Sequence, residues 1–403
     1  MLPSIPELSP RHHLNESIKP VELLVLQPTA FCNLDCSYCY LPHRNDKRRM
    51  SMATLAAVFE DLFTSRFLGD RLTVVWHAGE PLVLPPAYYA EAFDTIERLR
   101  PPGLALDHSF QSNGTRLTEA WVDFIKARQI RIGLSIDGPA WLHDAHRRSR
   151  SGRGSHAAAM AAAARLRAAA VDFHVIAVLT ATALRHPEAL FAFFHENGLH
   201  RLGFNVEEIE AAHSDSSLAG AGATTAYQAF LRRFIACNKA AGWPIDLREV
   251  SAFLAQALGP PRHGPDNMQV EPLRILSVDA RGNLSGFSPE LLGAAAQGYD
   301  DFLFGNIHDI SLETALTGPR FTRLRDEIAA GVARCRASCP YFTLCGGGAP
   351  SNKFFETGRL DSTETLYCRL TKQATAEVML DELEAAFGIA GCDGDLARPA
   401  ASG

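Results

Sequence analysis

No run of roughly 18 uninterrupted apolar residues, the length that spans a bilayer as a helix, occurs in this 403-residue chain. The opening stretch, MLPSIPELSPRHHLNESIKP, has prolines and charges where a signal peptide needs an apolar core. Charge of one sign is scarce: the net formal charge is only -6. That gives no general attraction for nucleic acid or an anionic membrane surface. Internal repeats are absent too. These absences lead to the expectation of a cytoplasmic globular protein with no nucleic-acid or membrane partner. In a reducing compartment, nine cysteines argue against a disulfide framework and for metal or redox use. Seven of the nine fall in two clusters; Cys237 and Cys392 are left over and read as free thiols.

The hydrophobic pattern alternates between strand-like and helix-like. Strands are expected over 21–30, 72–81, 106–117, 130–139, 171–180 and 202–208. Helices are expected over 52–67, 86–99, 117–128, 156–170 and 184–197. Such alternation predicts an α/β protein with a parallel sheet, a partial (β/α)6 barrel, whose chemistry sits after the strand C-termini. The expected division is an N-terminal extension (1–20), the barrel (21–210) and a linker with helical bridge (211–270). A smaller C-terminal unit (271–387) and a flexible tail (388–403) complete it.

The first cysteine cluster directly follows the first strand. In TAFCNLDCSYCY, Cys32, Cys36 and Cys39 are spaced three and then two residues apart. Three thiolates on a [4Fe–4S] cluster leave one iron open to a small molecule. The alternative, a zinc site completed by His43, fits poorly, because structural zinc normally takes four closed ligands in paired spacings.

These residues resemble the C-x3-C-x-aromatic-C signature of the radical S-adenosylmethionine superfamily, with Tyr38 in the aromatic place. The resemblance implies that S-adenosylmethionine chelates the open iron and is cleaved to a 5′-deoxyadenosyl radical that takes a hydrogen atom from the substrate. WHAGEP resembles the family's Gly-Gly-Glu-Pro motif, with Ala78 in place of the first glycine before Gly79 and Glu80. The change is expected to be mild if Ala78 has ordinary backbone angles. QSNGT and SIDGP place Ser112, Asn113, Ser135 and Asp137 where the family lines the cofactor. Arg147, three residues after Asp144 in HDAHRRSRSGRGS, is the expected partner of the cofactor's carboxylate.

The second cluster, Cys335, Cys339, Cys345 and Cys368, surrounds a triple glycine. Four thiols can close a complete [4Fe–4S] site. The stretch resembles the SPASM-type auxiliary-cluster domain, but the segment before it departs from that pattern. Gly282 is present, Phe287 stands where a cysteine is expected, and Ser288 stands where the anaerobic sulfatase maturases have a basic aspartate. The resemblance therefore implies one auxiliary cluster, and it points toward the peptide maturases that join an aromatic ring to a nearby β-carbon. Asp279 and Glu290 are candidates for the base such a reaction needs. The expected partners are a ribosomal precursor peptide and a flavodoxin- or ferredoxin-type electron donor. With the first strand at residue 21, no leader-binding domain is expected ahead of it. Two other readings stay open: oxidation of Cys or Ser to formylglycine, as in a sulfatase maturase, and a non-catalytic iron–sulfur or zinc scaffold.

Overall fold

A computed structural model describes residues 19–259 and 265–388. Most of the expected N-terminal extension, nearly all of the tail with Cys392, and the middle of the Pro/Gly-rich break at 259–267 lie outside the described residues.

Six strands, β1 (Val21–Leu26), β2 (Leu68–Trp76), β3 (Ala105–Ser112), β4 (Arg131–Ser135), β5 (Phe173–Leu179) and β6 (Arg201–Val206), pair in parallel in chain order. Helices α1 (Met52–Thr64), α2 (Pro86–Leu99) and α3 (Glu119–Ala127) make the first three crossovers. A short α4 (Ala140–His146) precedes α5 (His156–Ala168) in the fourth, and α6 (Pro187–Glu196) makes the fifth. The alternation read from the sequence is thus the observed order.

The reason is local. The Ser51 side chain accepts the backbone N–H of Thr54 and caps α1, whose Leu55, Val58, Phe59 and Leu62 form one buried stripe. Pro86 occupies the first turn of α2, where its missing N–H costs nothing. In α5 the buried face is Ala159, Ala162, Ala163 and Leu166, so its alanine richness is a close-packing surface. Trp76, fully buried, collects Tyr89, Phe93 and Phe110 within ring-contact distance, which ties β2, β3 and α2 into one core.

Beyond β6, the expected bridge is α7 (Ala223–Ala240), a two-residue strand β7 (Asp246–Leu247) beside β6, and α8 (Arg248–Ala257). The strand-like 273–287 is a hairpin: β8 (Ile275–Val278) and β9 (Asn283–Gly286) run antiparallel, and β10 (Gly305–Asn306) follows. The segment expected to open a separate unit instead extends the barrel sheet. β8 pairs in parallel with β1, from Leu23 opposite Ile275 to Leu26 opposite Val278. The result is one ten-stranded open sheet in the order β10-β9-β8-β1-β2-β3-β4-β5-β6-β7.

Helices α9 (Leu312–Thr317), α10 (Pro319–Ser338), α11 (Phe342–Cys345), α12 (Pro350–Thr357) and α13 (Thr375–Phe387) complete the chain. A π-helical turn, Cys368–Ala374, leads into α13. Among the described residues no helix is long and apolar enough to cross a membrane.

Candidate active site

The loop after β1 brings Cys32, Cys36 and Cys39 to the wall of one cavity of about 240 Å³. The segment around α4 clasps this loop. Arg150 Nε donates to the Cys32 carbonyl at 2.7 Å, and the Asp35 N–H donates to the Arg148 carbonyl at 2.7 Å. Burial pushes the Cys32 thiol up to about 12, with the Glu80 charge adding to it. Burial pushes Cys36 up to about 11, against the opposing charge of Arg147. Both thiols are therefore poor thiolates until a bound cation supplies the compensating charge. Among the described residues no three His, Cys, Asp or Glu side chains are grouped to hold a single metal ion. A cubane asks for a wider set, since each thiolate stands on its own iron. Three free thiols around one cavity fit that group.

The turn after β2 forms the next wall. Ala78 has φ 64° and Gly79 φ 93°. The condition for a mild change at Ala78, ordinary backbone angles, is not met: it occupies the left-handed region that glycine favours. Gly79 admits no side chain, because an added Cβ would collide with the Thr29 carbonyl oxygen. Glu80 is 1% exposed and lines the cavity. Its carboxylate accepts from Leu82 N at 3.0 Å, Ser112 Oγ at 2.7 Å and Asn113 N at 2.8 Å. Burial nevertheless holds its pKa above the usual carboxylate range. Glu80 thus locks the turn after β2 to the end of β3. Asn113 Nδ2 lies 3.7 Å from Cys32 Sγ, and Ser135 Oγ accepts from Gln111 Nε2 at 3.2 Å. All four side chains face the same cavity.

Asp137 stands behind Arg147. It is 3% exposed and does not line the cavity. Its carboxylate accepts from Arg147 Nε at 2.8 Å, from Val178 N at 2.9 Å and from the Tyr38 hydroxyl. Burial raises its pKa, but the charges of Arg147 and His143 outweigh that and hold it below the usual range. Arg147 does reach the cavity, carrying Asp137 as its counterion and lying 5.3 Å from the Tyr38 ring centre. Asp144 caps the following loop by accepting from Ser155 N and His156 N, each at 2.8 Å.

Of the two expected bases, the structure separates one from the site. Asp279 accepts from Arg281 N at 2.8 Å, Asn283 N at 3.0 Å and Asn283 Nδ2 at 2.8 Å, so it serves the β8–β9 turn and faces neither cavity. Glu290 lines the cavity, where it meets Glu208 and Glu210 from the end of β6. Sequence reasoning missed these two, although NVEEIE stands directly at a strand C-terminus. Burial pushes Glu208 up to about 8 and raises Glu210 and Glu290 as well, with mutual repulsion adding for Glu208 and Glu210.

The second cluster also converges. Cys335 at the end of α10, Cys339 after it, Cys345 at the end of α11 and Cys368 at the start of the π-helical turn line one cavity of about 130 Å³. Gly348 N lies 3.1 Å from Cys345 Sγ, Lys353 Nζ 3.5 Å from Cys335 Sγ and Gln373 Nε2 3.6 Å from Cys368 Sγ. Donors aimed at sulfur suit thiolates that carry a cluster's charge. Gly346, Gly347 and Gly348 all have positive φ, which the triple glycine allows.

A family model described as the radical SAM superfamily matches residues 26–194. Uncharacterized protein sll1766 of Synechocystis is 40% identical over 389 residues, covering 94% of this chain and 98% of that protein. The serine-type anaerobic sulfatase-maturating enzyme of Bacteroides thetaiotaomicron is 31% identical over 205 residues, 49% of each chain. The match to that maturase therefore spans about half of its length. Among solved structures, anSMEcpe with bound AdoMet aligns with a TM-score of 0.73 at 18% identity, covering 93% of this chain and 97% of that one. Streptococcus suis SuiB bound to precursor peptide SuiA aligns at 0.59 and 14% identity, covering 87% and 76%. At these identities the two structures share the fold.

Proposed function

We propose that the chain is a radical S-adenosylmethionine enzyme, a reading supported by the family match over residues 26–194, and that it modifies a ribosomally made peptide, joining an aromatic ring to the β-carbon of a nearby residue. Cys32, Cys36 and Cys39 would hold a [4Fe–4S] cluster, and Ala78, Gly79, Glu80, Ser112, Asn113 and Ser135 would hold S-adenosylmethionine beside it. When bound, this pair supplies a carbon radical that takes a hydrogen atom from the substrate.

The chain's own groups do the holding. Glu80 fixes the loops after β2 and β3 relative to each other. Asp137 takes one edge of Arg147 and leaves the remaining guanidinium donors for a carboxylate in the cavity. Tyr38, held by Asp137, packs beside that guanidinium. Cys335, Cys339, Cys345 and Cys368 hold a single auxiliary [4Fe–4S] cluster in a SPASM-like unit. A flavodoxin- or ferredoxin-type protein supplies electrons.

One observation carries the crosslinking reading over formylglycine formation. Ser288, at the position where the maturases have their base, is fully buried and outside both the reaction cavity and the one beside it. The second reading keeps two specific supports, the 31% identity to a serine-type anaerobic sulfatase-maturating enzyme over 205 residues and the alignment with anSMEcpe over 93% of this chain. The peptide class itself rests on structural relatives seen with peptides, anSMEcpe with a peptide and SuiB with its precursor.

The test is an anaerobic reconstitution with iron and sulfide counted, followed by S-adenosylmethionine, dithionite and either of two peptides. About eight irons are expected per chain, falling to about four in a Cys32/Cys36/Cys39→Ala variant that makes no 5′-deoxyadenosine. An aromatic precursor peptide should lose two hydrogens and gain a side-chain crosslink. A formylglycine product from a sulfatase-derived Cys or Ser peptide, with no crosslink in the first, would establish the second reading instead. Zinc in the sites, or well-loaded clusters without 5′-deoxyadenosine, would remove both.

A further inference from the structure

We propose, resting on the crosslinking reading above, that Glu208 is the base that takes the substrate's ring proton and that Asn352 positions it. Glu208 lies two residues beyond the end of β6 and lines two adjoining cavities. One holds the three-cysteine loop. The other, of about 380 Å³, lies among the end of β6, α8, α12 and the approach to α13. Asn205, Glu208, Glu210 and Glu290 form their common wall. A peptide that reacts at the first cavity and extends into the second passes these carboxylates.

Glu208 is a carboxylate that α12 fixes through a side-chain hydrogen bond. Asn352, 1% exposed, donates from Nδ2 to Glu208 Oε2 at 2.8 Å. The next residue, Lys353, is 2% exposed and reaches Cys335 Sγ. Two consecutive buried residues therefore link Glu208, on the wall shared by the two cavities, to Cys335, on the wall of the four-cysteine cavity. Glu290 Oε2 has no hydrogen-bond partner among the described residues, and the carboxyl is held only by its own backbone N–H. Glu210 is buried beside the Glu208 and Glu290 charges, and burial with their repulsion raises it well above the usual carboxylate range. The other groups facing Glu208 are Arg248 from α8, Glu356 from α12, Tyr40 from the cysteine loop and Tyr367 ahead of α13.

The step balances as follows. A substrate carbon that has lost a hydrogen atom forms a C–C bond to the ring with its unpaired electron and one ring π electron. The ring C–H then breaks, its proton going to the Glu208 carboxylate and its electron pair staying in the ring. The one surplus electron passes to an acceptor of the iron–sulfur class, which is reduced by one.

The experiment uses the full, cluster-loaded chain and a precursor peptide that the wild type crosslinks, deuterated at the carbon that loses hydrogen. Glu208→Gln should bind a normal complement of iron and still move deuterium into 5′-deoxyadenosine. Crosslinked product should fall by about 100-fold or more, the scale of general-base catalysis. Glu290→Gln is the comparison and should keep most product. A loss in Glu290→Gln as large as that in Glu208→Gln overturns the assignment of the base to Glu208. Asn352→Ala should keep product but move the rising limb of the pH–rate profile to higher pH, because its hydrogen bond favours the charged carboxylate. Infrared spectra of the peptide-free protein, labelled in its glutamate carboxyls, should lose one group titrating near pH 8 in Glu208→Gln. Undiminished product in Glu208→Gln overturns the proposal alone. Equal loss of deuterium transfer and product makes Glu208 a peptide-binding residue and also overturns it. A wild type that crosslinks no aromatic peptide fails the reading beneath it.

Discussion

Ala78 stands in a left-handed conformation, φ 64°, next to a glycine that tolerates no side chain. A non-glycine residue there costs of order 1 kcal/mol. Ala78→Gly should therefore raise the stability of the cluster-free chain by about 1 kcal/mol in denaturant unfolding, with no loss of iron on reconstitution. A fall in stability would mean that the buried Ala78 methyl contributes more through packing than the backbone strain removes. Short-range signals of this kind carry well in sequence. The cysteine spacings and Glu80 are legible because their partners lie on adjacent strand ends of one repeated β/α pattern. The contacts of Asp137 with Tyr38, Arg147 and Val178 are not legible in sequence, because those partners meet only in the folded site. Asp279 looked like a base, yet an aspartate three residues before Gly282 is first of all a turn former. Glu208 and Glu210 carry no motif, and only the fold, by turning them onto one cavity wall, marks them out.

At the scale of elements, α10 shows how a ligand is aimed. Its buried residues Phe321, Leu324, Ile328, Gly331 and Cys335 recur at helical spacing. That pattern is readable in retrospect, but the helix's many charges masked it. Gly331 lets α10 approach the chain after α12: an added Cβ would lie 2.8 Å from the Leu360 carbonyl oxygen. Gly331→Val should push α10 away and pull Cys335 from its cavity. Iron should then fall from about eight to about four per chain, while 5′-deoxyadenosine still forms on the first cluster. Full iron retention would show that the second thiol set tolerates a displaced α10. The strand order was less accessible than the helices. β8 reads as strand from its residues, but its pairing with β1 joins segments about 250 residues apart, which no local pattern reports.

For the whole molecule, protonation and topology make separate predictions. The Glu208 carboxyl is raised from its ordinary 4.5 to about 8, mainly by burial. Between those values the folded chain binds a proton that the unfolded chain has released, so stability falls as pH rises through that window. In the metal-free protein, Glu208→Gln should flatten that fall; an unchanged slope would place the linkage on the other buried carboxylates.

Topology gives the second prediction. All four tryptophans, Trp76, Trp121, Trp141 and Trp243, precede residue 259, so their fluorescence reports only the first part of the chain. Far-ultraviolet dichroism reports all of it. β8 covers what would otherwise be the open edge of β1, an edge that invites aggregation if left bare. The buried Arg274 adds a second tie, with Nη2 to Glu22 on β1 at 2.8 Å and a further ion pair to Asp266. Unfolding in denaturant should therefore give coincident fluorescence and dichroism transitions, and a chain cut after α8 should aggregate. Separate transitions would mean that the first 259 residues fold as a unit without β8, and the sheet continuity would then be a docking contact between two independent bodies.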